Sequence, residues 1–209
     1  MDAKVALAKV AASLQEGAEL RVKVSHDNAH AIVEASSLIT GCLRSGGKLL
    51  LFGNGGSAAD AQHLAAEFIG RFSGERRALP AVALTTDSSI LTAVGNDYGF
   101  EQIFARQIEG LGRSNDVAIG ISTSGNSPNV IAAVQAARKQ GLKTVGLAGK
   151  DGGMLAKCVD VAIIVSAVNT ARIQECHIAI GHLFCELVEI DFLEKNPPEP
   201  VDTKSSATQ

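Results

Sequence analysis

Five short apolar runs constrain this chain most: Leu49–Phe52, Ala81–Leu84, Val117–Ile121, Thr144–Leu147 and Val161–Val165. None alternates apolar with polar residues, so each is apolar on both faces. Strands buried on both faces belong to a parallel sheet covered on each side, and parallel neighbours need crossovers long enough for a helix. Helical spacing fills the gaps at 57–71, at 88–94 with 100–109, and at 128–140. A long last helix over 170–193 carries Ile173, Ile178, Ile180, Leu183, Leu187 and Ile190. The expected fold class is therefore α/β, a three-layer fold whose sheet has about five parallel strands flanked by helices.

Residues 1–45 precede the first strand and read as an N-terminal helical pair. Val5, Leu7, Ala8, Ala11 and Leu14 share one stripe; Ile32, Val33, Leu38, Ile39 and Leu43 share another. Ser25-His26-Asp27 offers an N-cap that splits the two, and Gly46-Gly47 ends the second. Their apolar stripe packs either on the sheet domain or on another subunit. The sheet domain takes 46–194. The tail over 195–209, with three of the five prolines, is expected to lack fixed structure.

Charge and composition remove several function classes. Nineteen Lys and Arg against 22 Asp and Glu give a net charge of −3, which leaves no electrostatic footprint for nucleic acid or an anionic membrane. With 4% aromatics and no Trp there is no base-stacking platform. No apolar window is long enough for a membrane span, and the N-terminus has no secretory core. Cys42, Cys158, Cys176 and Cys185 form no CxxC pair, as expected of free thiols in a reducing, cytoplasmic setting.

Two loops are shaped for an anion. The first run leads into Gly53-Asn54-Gly55-Gly56-Ser57-Ala58-Ala59-Asp60 and then a helix. Glycines let backbone N–H groups approach a ligand, and the helix start adds free amides and a positive dipole end. Ser57 stands where its hydroxyl can donate to an oxyanion. A plain strand–helix turn is the alternative, though it does not need so many glycines. Gly53-x-Gly55-x-x-Ala58 also fits the dinucleotide fingerprint, but the acid expected about 20 residues on is missing and Asp87 lies too far along.

The third run leads into Ser122-Thr123-Ser124-Gly125-Asn126-Ser127-Pro128-Asn129. Pro128 suits the first helical position, which makes Ser127 the N-cap. Four hydroxyls at the carboxyl end of a parallel strand form a second anion cradle; a capped helix after a Ser/Thr-rich turn is the alternative. Two such loops on one sheet favour a shared crevice at the strands' carboxyl ends. Lacking a P-loop lysine, the cradle suits a phosphomonoester better than a magnesium-bound nucleotide.

Metal-ligating types gather on two helices. His63 and Glu67 are i, i+4 and share a face about 6 Å apart, as two ligands of one ion do; a satisfied histidine beside an exposed glutamate is the alternative. The last helix offers Gln174, His177 and His182. Gln174 and His182 are separated by a rise of about 12 Å, so they approach one ion from either end or serve two subunits. Taking His177 would leave His182 idle, which favours His182. Two imidazoles, a carboxylate and an amide oxygen suit zinc, with nickel, iron and manganese open. Gly95-Asn96-Asp97-Tyr98-Gly99 reads as a loop whose Asn96 and Asp97 can meet a hydroxylated substrate.

Taken together, GNGGSAADAQHLAAE, LTAVGNDYGF, ISTSGNSPN and TARIQECHIAIGH resemble the sugar isomerase (SIS) domain family, over roughly residues 45–192. Within it the chain is similar to the branch that converts sedoheptulose 7-phosphate to D-glycero-D-manno-heptose 7-phosphate through an enediolate, for lipopolysaccharide precursors. The resemblance implies an SIS-type three-layer fold and a phosphate site of Ser57, Ser122, Thr123, Ser124 and Ser127. It implies sugar contacts from Asn54, Gly55, Gly56, Asn96 and Asp97, joined by Glu67 and Gln174. It implies one zinc ion per subunit on His63, Glu67, Gln174 and His182, with Glu67 as base and His182 as its acid/base partner. It also implies a homotetramer cored by the N-terminal helices, with active sites at subunit boundaries. One departure is Asn169 before Thr170, where the family more often has Asp. A relative in the same family is a non-catalytic tetramer that binds the replication initiator; the full set His63, Glu67, Gln174 and His182 argues against that reading. An isomerase of another sugar phosphate is the remaining alternative.

Overall fold

The computed structural model describes residues 2–195, with side chains over 2–193. The strands are β1 (Leu49–Gly53), β2 (Ala81–Ala83), β3 (Val117–Ser122), β4 (Lys143–Gly149) and β5 (Val161–Val165). They form one parallel sheet in the order β2-β1-β3-β4-β5. Seven α-helices are described: α1 (Ala3–Arg44), α2 (Gly56–Ile69), α3 (Ser88–Tyr98), α4 (Ala105–Leu111), α5 (Pro128–Lys139), α6 (Gly153–Cys158) and α7 (Thr170–Lys195).

Strand periodicity divides the core into two layers. Leu49 and Leu51 face α1, α2 and α7, where Ile39, Leu43, Leu64, Phe68, Ile180 and Phe184 pack on them. Leu50 and Phe52, pointing the other way, meet Phe104, Ile108, Val130, Val134 and Leu155. The three-layer α/β fold with five parallel strands is thus the one expected from the two-sided apolar runs.

The expected helical pair over 1–45 is instead a single helix of 42 residues, about 63 Å long. Ser25 does not cap a second helix. Its hydroxyl donates to the Val22 carbonyl at 2.7 Å, one turn back inside the same helix. With no Gly or Pro at 25–27, nothing breaks the ladder. The carboxyl half of α1 buries Val24, Ile32, Ala35, Ile39 and Leu43, while Val5, Leu7, Val10 and Leu14 are exposed.

Other boundaries differ too; the helix read over 100–109 is a 3-10 turn at Phe100–Gln102 followed by α4 at Ala105–Leu111. The helix read over 88–94 continues to Tyr98, so Asn96 and Asp97 lie on its last turn rather than in a loop. Asp87 starts it by accepting from the Ile90 N–H at 2.9 Å, and a single Gly95 is not enough to stop it. The six-residue α6 was too short for its period to show. The expected unstructured tail lies, from residue 196 on, outside the described residues. Among the described residues no helix is long and apolar enough to cross a membrane.

The β5 edge is closed by a side chain. Asn28 of α1 donates to the Ile164 carbonyl and accepts from the Ile164 N–H, both at 3.1 Å, as a neighbouring strand would. Replacing Asn28 by Leu leaves both backbone groups unpaired. We expect a loss of roughly 2–4 kcal/mol of unfolding free energy, read from the urea midpoint; an unchanged midpoint refutes the role of this contact.

Candidate active site

The strand order reverses between β1 and β3, and both Gly- and Ser-rich loops leave the sheet there. This is the topological switch point at which open α/β sheets bind ligands. The loops are tied to each other. The Asn54 amide donates to Asn129 Oδ1 and the Asn129 amide donates back to Asn54 Oδ1, each at 2.8 Å. Asn129, on α5, is 2% exposed. The Asn54 side chain, expected on the substrate, therefore acts as a strut through a partner that the sequence reading did not single out.

The hydroxyls of the second loop converge. Ser122 Oγ lies 2.9 Å from Ser127 Oγ and 3.3 Å from Ser124 Oγ, and Ser124 Oγ accepts from the Asn126 N–H at 3.1 Å. Ser127 occupies the N-cap position of α5 with Pro128 behind it, but its hydroxyl makes no capping bond and turns to Ser122. Ser57 is buried on the first turn of α2, and Thr123 is half-buried beside this cluster in the chain.

The histidine pair also forms within one chain. His63 Nε2 of α2 and His182 Nε2 of α7 are 2.9 Å apart, and Glu67 Oε1 is 3.4 Å from His63 Nε2. The Phe72 ring lies 5.6 Å from the His182 ring, centroid to centroid. Gln174 stands two turns before His182. Its amide lies so close over Gly56 that a Cβ there would be 2.2 Å from Nε2. Gln174 also lies near Asp60. Burial pushes the Asp60 carboxyl up, while Gln174 and the nearby His63 pull it down. Asp60 was overlooked, although Asp60, His63 and Glu67 at i, i+3 and i+7 share one face of α2.

Four other residues singled out in the sequence lie apart from the histidine pair. Asn96 and Asp97 are exposed and bond to each other at 2.7 Å; no bond joins them to the loops or to the histidines among the described residues. His177 is fully buried, and burial drives its pKa down to about 4, so it stays neutral apart from the pair. Asn169 accepts from the Ala171 N–H at 3.0 Å, so it caps α7 as an Asp would.

Donor chemistry at the pair fits a divalent ion: two imidazoles and a carboxylate meet, with an amide oxygen on the same helix face. Among the described residues no group of three or more His, Cys, Asp or Glu stands in finished ligand geometry. The two imidazole Nε2 atoms lie within hydrogen-bond distance of each other, at 2.9 Å.

A family profile described as SIS domain matches residues 14–149. A phosphoheptose isomerase of Aquifex aeolicus is 55% identical over 183 residues, covering 88% of this chain and 96% of its own. The structure of a phosphoheptose isomerase from Neisseria gonorrhoeae superposes with a TM-score of 0.84 at 46% identity, over 88% of this chain and 98% of that one. The corresponding structure from Francisella tularensis gives 0.85 at 37% identity, with the same coverage. Through this identity, spread over nearly the whole of both chains, the protein belongs to the SIS domain family and, within it, to the phosphoheptose isomerases.

Proposed function

We propose that the chain is an aldose–ketose isomerase that converts sedoheptulose 7-phosphate to D-glycero-D-manno-heptose 7-phosphate, supplying heptose precursors of lipopolysaccharide in the cytoplasm. The observation that carries this is the meeting of Glu67, His63 and His182 in one chain whose switch-point crevice also gathers three serine hydroxyls. The high identity to proteins named phosphoheptose isomerase supports it.

Isomerisation moves one proton between adjacent carbons and one between their oxygens. Glu67 removes the C1 proton of the ketose and returns it at C2 of the enediolate. His182 delivers a proton to the C2 oxygen and takes one from the C1 hydroxyl, so the sugar gains and loses none overall. Ser57, Ser122, Thr123, Ser124 and Ser127 hold the phosphate, and this remote binding positions the reacting end. A zinc ion held by His63, Glu67, Gln174 and His182 supplies Lewis-acid polarisation of the carbonyl when bound.

Assembly into a homotetramer belongs to the same proposal. Val5, Leu7, Val10 and Leu14 on α1 and Ile90 and Tyr98 on α3 are exposed apolar side chains that a second copy would cover. Asn96 and Asp97, on the last turn of α3, would then reach substrate across a subunit boundary.

Three outcomes are expected. Glu67→Gln lowers kcat by about 10²–10⁴-fold while leaving inorganic phosphate binding intact; retained turnover overturns the base assignment. Chelation lowers activity and zinc restores it, and full activity in metal-free protein ends the Lewis-acid part. Gly56→Ala keeps its melting temperature, because only the flexible end of Gln174 must move, yet loses turnover. A Gly56→Ala protein as active as the parent would remove Gln174 from the site.

A further inference from the structure

The two helices that bring Glu67 and His182 together are joined a second time, outside the site. The segment from Gly70 to Pro80 has no regular structure, so side chains and neighbouring backbone satisfy its polar groups. Glu189 of α7 accepts three of its N–H groups, from Phe72 at 3.2 Å and from Ser73 and Gly74 at 2.8 Å. Arg76 Nε faces Glu189 Oε1 at 3.1 Å, and the two side chains are 4% and 5% exposed. The other end of the Arg76 guanidinium reaches the carboxyl end of α2. It donates to the carbonyl of Glu67 itself at 2.8 Å, to Phe68 at 2.9 Å and to Gly70 at 3.2 Å.

We infer that Arg76, Glu189 and Phe72 are positioning residues for the isomerisation: the buried ion pair sets α2 against α7, and the strap it pins lays Phe72 against the His182 ring. This rests on the reading of Glu67 and His182 as the proton-transfer pair. Glu189 and His182 are seven apart on α7, two turns along one face, so one helix face holds both the imidazole and the anchor. The strap then returns to that imidazole through Phe72, with ring centroids 5.6 Å apart. An isolated buried ion pair is no better for stability than an apolar pair of the same volume. What this one adds is direction, since its bonds end on the backbone of the proposed base and on the strap that flanks its partner. Burial would raise the Glu189 carboxyl, but the three N–H groups and Arg76 outweigh it and hold it below the ordinary glutamate range, so the pair stays charged.

The test compares Glu189→Gln and Phe72→Leu with Glu67→Gln in the full chain. Three quantities are read: kcat and KM for sedoheptulose 7-phosphate, the pH profile of kcat, and the stoichiometry of inorganic phosphate binding. The expected result is a loss of about tenfold or more in kcat, with KM within twofold, a displaced pH profile and full phosphate stoichiometry; misplacement by about 1 Å costs on the order of 10²-fold. If Glu189→Gln does not fold, Phe72→Leu decides, because it leaves the ion pair whole. Unchanged kcat in folded Phe72→Leu overturns the inference, as does a kcat loss matched by an equal loss of phosphate sites. Full activity in Phe72→Leu beside an inactive Glu67→Gln rejects the positioning role and leaves the proton-transfer reading standing. Retained turnover in Glu67→Gln rejects that reading, and the positioning role with it.

Discussion

The reversal of strand order between β1 and β3 is the constraint on which the site depends. In a parallel sheet every strand leaves by its carboxyl end, and helices normally cover the space above. Only where successive crossovers go to opposite sides do two neighbouring loops open onto the same uncovered crevice. Here those loops are 53–56 and 122–127, and the reciprocal Asn54–Asn129 amide pair fixes the gap between them. The proposed phosphate cradle of amides and hydroxyls needs that rigidity. Without a lysine to supply a point charge, its donors have to be in place before the anion arrives.

Much of this was legible in the chain, for identifiable reasons. The strands carry apolar runs, buried on both faces in β1, β3 and β4 and on one face in the edge strands β2 and β5, so all five were found, with ends moved by a residue or two. The loops were legible because glycine and serine at a strand's end have few other uses. The α1 boundary failed because Ser25 has two uses. A serine that starts a helix and a serine that bonds back to the preceding turn look alike in sequence. Asn96 and Asp97 failed for a related reason, since polar residues flanked by glycines fit a loop and a helix end equally well.

What pattern could not give was partnership between distant residues. Asn129 was read inside its motif, but nothing in the string says that its amide faces Asn54, 75 positions away. Arg76 and Glu189 carry no motif at all, and their pairing is a product of tertiary packing. Asp60 differs, because its spacing to His63 and Glu67 was on the page. The sequence reading took it only as the end of the Gly-rich loop.

The eight-residue interval between Gln174 and His182 looked awkward for a single site, and the packing of α2 on α7 explains it. The two helices run side by side in the same sense. Gln174 meets Gly56, His182 meets His63, and Glu189 meets the strap that follows α2. Seven residues on α2 and eight on α7 separate the first two rungs, rises of about 10.5 and 12 Å. Close approach is possible because α7 has a glycine beside His182: a Cβ on Gly181 would lie 2.5 Å from a Leu64 methyl group. Two parallel helices in step thus act as a ladder. One rung lies over the Gly-rich loop, the next brings His63 and His182 together, and the last joins Glu189 to the strap after α2. A single helix could have supplied ligands at i and i+4, but not a base and an acid on opposite sides of a substrate. The second rail would provide that opposition for the proposed Glu67–His182 pair, and the buried Arg76–Glu189 pair joins the same two helices beyond it.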